Sequence, residues 1–270
     1  MKRKVLYLLV VFALVLGTVS VVDANHSWGS YHWARTANPF TLKLGDNLSP
    51  SWDPFLRTTS NDWSLSSVIN TTIIGGLKNA RTCKPTLGRA EICNYKYGRN
   101  GWLGIASIWV NGGGHITQGI VKVNDTYFNS APYNTTAWKN LVMCQEVGHI
   151  FGLDHQDEDF NNLPLGTCMD YTNDPIPNQH PNAHDYEMLE GIYTHLDTTT
   201  TLSQTSTFPG RGVLEPRDVN LDEIREWGKQ IKKSSNRRSS MYEKDLGRGD
   251  RVFTFVVWAD QEASTDNRER

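Results

Sequence analysis

Residues 144–155 read CQEVGHIFGLDH, and this dozen constrains the chain more than any other stretch. Side chains four apart on a helix share a face. Gln145 and His149 therefore project together, one turn apart, at the end of an apolar helix that carries Ala137, Leu141, Cys144, Gly148 and Phe151 on one stripe. Gly152 is a natural helix stop, and the chain can fold back there so that His155 reaches the same point. Three side chains converging with a fourth position open is the layout of a catalytic zinc site. Glu146 adjoins the first of them and can take a proton from a metal-activated water.

The chain around this stretch has 270 residues, 38% of them hydrophobic, enough for one well-packed domain and a smaller addition. A formal net charge of -2 does not favour nucleic acid as a partner. The N-terminus has a basic n-region (MKRK), an apolar run over 5–22 and Val-Asp-Ala at 22–24, so residues 1–24 read as a signal peptide cleaved after Ala24. The protein is then secreted, with no membrane attachment unless the signal is retained. Four cysteines in an exported chain suggest two disulfides. Cys83 and Cys93 close a short loop, which leaves Cys144 and Cys168 to pair.

Period-two patterns mark strands at 41–47, 68–76, 104–111 and 251–259. The segment 115–125 also alternates, but Gly119 in its middle suggests a bulge or a break into two strands. Helices are expected over 49–66, from an N-cap in 134–136 to Gly152, and over 183–196. This order gives an α/β (α+β) fold, a mixed sheet backed by helices. Residues 198–212 are Thr/Ser-rich and read as a linker. Residues 213–270 read as a small C-terminal appendage, with a basic amphipathic helix over 221–240 and the strand 251–259.

The stretch 144–155 resembles the zinc-binding consensus of the metzincin metallopeptidases, closest to matrixin-like catalytic domains, with Gln145 where the family has its first histidine ligand. TCMDY at 167–171 supports the resemblance: it supplies Met169 for the tight turn that metzincins place beneath the metal, and Tyr171 two residues on. The resemblance covers roughly residues 30–197 and leaves the tail unexplained. It implies a twisted sheet over residues 25–197, an active-site helix and a Met-turn. His149 and His155 would be zinc ligands and Gln145 a weak or vestigial third. Glu146 would be general base and acid, with Tyr171 assisting the metal or the oxyanion and Met169 forming the floor. A Cys144–Cys168 disulfide would tie the helix to that floor. The segment 115–125 would include the rim strand that pairs with an extended polypeptide substrate. The implied activity is zinc-dependent endopeptidase hydrolysis by a monomer.

Gln145 keeps two alternatives open. A neutral amide oxygen is a weaker zinc donor than imidazole, and Tyr171 or His115 could fill the vacancy; Cys144, about 100° round the helix, is a poor substitute. Otherwise the chain is a metal-free relative acting as an extracellular binding module. The acidic loop 156–159 could hold Ca2+ or simply be solvated. Asp154 and Asp185 could orient imidazoles or cap helices.

Overall fold

The computed structural model describes residues 26–202 and 219–260. The expected signal peptide (1–24) and residues 203–212 of the expected linker lie outside the described residues. Alternation decides the first long strand, β2 (Phe40–Asn47), where Phe40, Leu42 and Leu44 are buried and Thr41 is exposed. It belongs to a nine-stranded mixed sheet with β1 (His32–Trp33), β3 (Ile69–Gly75), β4 (Ala90–Tyr95), β5 (Trp102–Val110), β6 (His115–Asn124), β7 (Lys229–Lys233), β8 (Ser239–Gly247) and β9 (Asp250–Trp258). The order is β3-β2-β4-β6-β5-β9-β8-β7, with β1 beside the start of β6. The β3, β2, β4 and β6 neighbours run parallel; β5, β9, β8 and β7 pair antiparallel in turn.

Helices α1 (Asp53–Trp63), α2 (Asp125–Phe128), α3 (Thr136–His149) and α4 (Ala183–Ile192) complete the described elements, apart from a 3-10 turn at Ile224–Glu226. Pro54 opens α1, where its missing N–H costs nothing. Asn182 and Asp185 form a reciprocal capping box at the start of α4. The core on the helical side gathers Leu42, Leu56, Trp63, Val142, Val147, Phe253 and Phe255. A second core on the other face holds Trp102, Ile105, Ile120, Trp227, Val256 and Trp258, beside the Cys83–Cys93 disulfide. Strands β5 and β9 are buried on both faces, which accounts for their nearly continuous apolar runs.

Two expectations are corrected. No helix spans 221–240. Gly228 sits at φ +93°, and a Cβ there would come within 2.2 Å of the Glu243 carbonyl oxygen. The chain turns at this glycine and continues as β7, an edge strand whose lysines discourage pairing with another molecule. The C-terminal segment is also no separate appendage. Its last strand lies against β5 along the whole of that strand, and the fully buried ammonium of Lys122 on β6 pairs with Asp222 at 2.5 Å. Of the two readings of 115–125, the break is absent: residues 115–124 form one strand, and the bulge lies opposite Trp109 and Val110, away from Gly119. Gly119 instead permits close packing, since a Cβ there would lie 3.3 Å from Ile150.

Candidate functional site

Helix α3 begins where the Thr135 hydroxyl accepts the Trp138 N–H. It delivers Gln145, Glu146 and His149 as buried side chains at its C-terminal end. The reversal at Gly152 has φ +96°, and a Cβ there would sit 2.3 Å from the Tyr31 carbonyl oxygen, so only glycine fits. After the turn, His149 donates its Nδ1–H to the Leu153 carbonyl at 2.9 Å. This leaves His149 Nε2 as a lone pair. It faces His155 Nε2 at 3.0 Å. The two histidines expected to converge are therefore together.

The turn at 167–171 lies directly under the helix. A Cβ on Gly148 would meet the Met169 sulfur at 2.4 Å and Trp63 at 2.9 Å, so helix and turn are in intimate contact. Cys144 and Cys168 are disulfide-bonded and fasten the same two elements. Gly148→Ala should overpack this contact and lower stability by about 1–3 kcal/mol, read from urea unfolding; an unchanged midpoint would show that Met169 does not support the helix.

Gln145 turns its amide Nε2 to the Cys168 carbonyl at 2.9 Å. Its Oε1 is buried without a hydrogen-bond partner, as are both carboxyl oxygens of Glu146. Glu146 lies against Gly104 of β5, where a Cβ would come within 2.5 Å of Oε1. Burial pushes the Glu146 carboxyl well above the usual carboxylate range. Burial, and then the neighbouring His155, push His149 well below the usual imidazole range, so it is neutral at neutral pH. Burial likewise raises the Tyr171 phenol.

Tyr171 is not on the side where the two Nε2 atoms meet. Its hydroxyl is 2.9 Å from His155 Nδ1, the opposite ring nitrogen. Asp154 Oδ1 lies 3.3 Å from the same nitrogen. Burial acts to raise the Asp154 carboxyl, but His155 and Lys232 outweigh it and hold the group well below the usual range. Lys232 on β7 places its ammonium 2.7 Å from Asp154 and 2.8 Å from Glu158. Asp154, His155 and Glu158 could hold a metal ion, but a cation from the chain already sits on both carboxylates. In the acidic loop, Asp157 and Asp159 accept hydrogen bonds from their own loop. Asp185 caps α4 and accepts from the Thr167 hydroxyl. His115 is elsewhere, beside Asp197.

Phe255 of β9 completes the site and had no local signal in the sequence to announce it. Its ring stacks on His149, with centroids 4.2 Å apart and planes 8° from parallel. The remaining cavity beside His155 and Phe255 is about 10 Å³, room for a single water at most. No protein-family model matches the chain, and no curated protein matches it.

Proposed function

We propose that this protein is a secreted zinc-dependent endopeptidase of the metzincin, matrixin-like type, held closed by its own C-terminal hairpin. The observation that carries the reading is a pair of facing imidazoles at a helix end that also buries unpartnered oxygens. His149 and His155 meet through their Nε2 atoms, and at the same end of α3 the Gln145 Oε1 and both Glu146 carboxyl oxygens are buried without hydrogen-bond partners. A buried polar atom left unpaired costs about 1–3 kcal/mol. A cation accounts for that cost, since His149, His155 and the Gln145 oxygen are the donors that would hold zinc. Zinc bound there would supply Lewis acidity and lower the pKa of water. Glu146 would take a proton from water and return it to the leaving amine, a role favoured by its raised pKa. Tyr171 and Asp154 would orient His155 through Nδ1. The two disulfides fit an exported chain. Among the described residues no helix is long and apolar enough to cross a membrane.

The rim strand expected in 115–125 is β6, which is paired on both edges and offers none to a substrate; an extended polypeptide could instead reach Glu146 by main-chain pairing on the edge of β5, since Gly104 of that strand lies against the carboxyl. In this state β9 holds that edge. Turnover in this reading follows displacement of the hairpin. The same covering, with the Gln145 amide turned to Cys168, favours the second reading, a metal-free module that binds a partner.

Zinc content of the purified chain, compared with His149→Ala, separates the two. One equivalent fewer in the variant is the expected result. Equal zinc in both proteins would leave the metal-free module.

A further inference from the structure

A second group of ligand-type side chains shares no residue with the site around His149. Strand β1 pairs with the first residues of β6, which puts His32 directly opposite His115. The chain leaving α4 brings His195 and Asp197 to the same place. His32 Nε2 is 3.2 Å from His195 Nε2. Asp197 Oδ1 lies 3.5 Å from His32 Nε2, 3.2 Å from His115 Nε2 and 3.7 Å from His195 Nε2. Zinc bonds of about 2.0–2.1 Å in a tetrahedron imply donor-to-donor edges of about 3.4 Å. The three distances among His32, His195 and Asp197 scatter about that value.

The surroundings fix these donors for a cation. Asp197 Oδ2 accepts the Arg35 backbone N–H at 3.1 Å and its guanidinium at 3.0 Å, which turns Oδ1 towards the imidazoles. Arg35 is 1% exposed and also donates to the His195 carbonyl, so it holds two ligand-bearing residues at once. His32 donates Nδ1–H to the Ser30 carbonyl at 2.7 Å. Its neutral ring therefore offers a lone pair at Nε2, the tautomer a metal requires.

Without metal, His195 Nε2–H can donate to the His32 Nε2 lone pair; a divalent cation between the two rings and Asp197 Oδ1 would take the place of that proton and engage all three groups. The His195 side chain is 57% exposed, which leaves a path for an ion from solvent.

We propose that His32, His195 and Asp197 form a second metal site, for a divalent transition-metal ion with zinc as the first candidate and water in the remaining position. The ion would join β1 to the chain after α4, with His115 of β6 hydrogen-bonded to Asp197 beside it. The residues before β1 are in turn bonded to the turn that carries His155, through Trp28 N–H to the Gly152 carbonyl at 2.7 Å. Metal here would steady the other site from behind.

The test is zinc content by elemental analysis after dialysis against zinc-free buffer, in the full chain, His195→Gln, His32→Gln and His149→Ala. Loss of one equivalent in His195→Gln, with far-UV circular dichroism unchanged and that equivalent retained in His149→Ala, is the expected result. Added zinc should also raise the melting midpoint of His149→Ala by roughly 5 °C at a hundredfold excess over Kd, and not that of the His149→Ala, His195→Gln double variant. If His195→Gln folds poorly, His32→Gln carries the same reading. Zinc content unchanged in both glutamine variants would overturn the second site, whatever His149→Ala does. A loss confined to His195→Gln would support it and count against the peptidase reading alone.

Discussion

Replacing Glu146 with Ala should reduce peptide hydrolysis about 10²–10⁴-fold, in the intact chain or in one whose hairpin has been loosened. Folding should survive the change. The Glu146 carboxyl is fully buried with neither oxygen bonded, so the native state gains little from it. Removing a buried unpaired acid relieves a desolvation cost of about 1–3 kcal/mol, offset by the small cavity left behind. The net change in urea unfolding should stay within about 1 kcal/mol of zero. Undiminished hydrolysis in this variant would end the proposed mechanism, and a large loss of stability would make Glu146 a structural residue instead.

The second large effect is expected at Phe255. The ring is 1% exposed, stacks flat on His149 and sits on β9 opposite Ala106 of β5. Truncation of a buried phenylalanine to alanine typically costs about 3–5 kcal/mol. Phe255→Ala should lower stability by that amount and also uncover one face of His149. Zinc exchange with a chelator should then quicken, and peptide hydrolysis, if the hairpin restrains it, should rise. Phe255→Leu keeps most of the volume and should cost less than about 1.5 kcal/mol. An alanine variant within 1 kcal/mol of the parent, with unaltered exchange, would mean the hairpin does not guard the site.

The parts of the molecule legible in the sequence are those whose cause is local. The convergence of His149 and His155 follows from helical spacing and one glycine, both within twelve residues. Strand β2 announces itself by alternation, β3 by its β-branched residues, and β5 and β9 by nearly continuous apolar runs. The segment 229–233 misleads because KQIKK suits either a charged helix face or a lysine-rich edge strand; Gly228, at positive φ against Glu243, decides for the strand. Strand β4 was concealed inside what read as a disulfide loop. Gly119 suggested a break but answers to Ile150 on another element. The site residues that escaped notice are long-range. Phe255 reaches His149 through strand pairing between distant segments, and the cluster at Asp197 draws on residues 32, 115 and 195. Tyr171 was found by motif, but its place on Nδ1 of His155 depends on how the turn docks.

The position of β9 has a consequence for how the chain comes into being. Strand β5 gains one of its two neighbours only when residues 250–258 arrive, long after β5 itself has been made. Pairings between such distant segments form slowly. Until then an apolar strand waits with an open edge, the kind of surface that recruits other chains. A message cut short after residue 202 would yield a protein that cannot close its own sheet. Arrival of β9 would therefore act as the quality check on the sheet that precedes it.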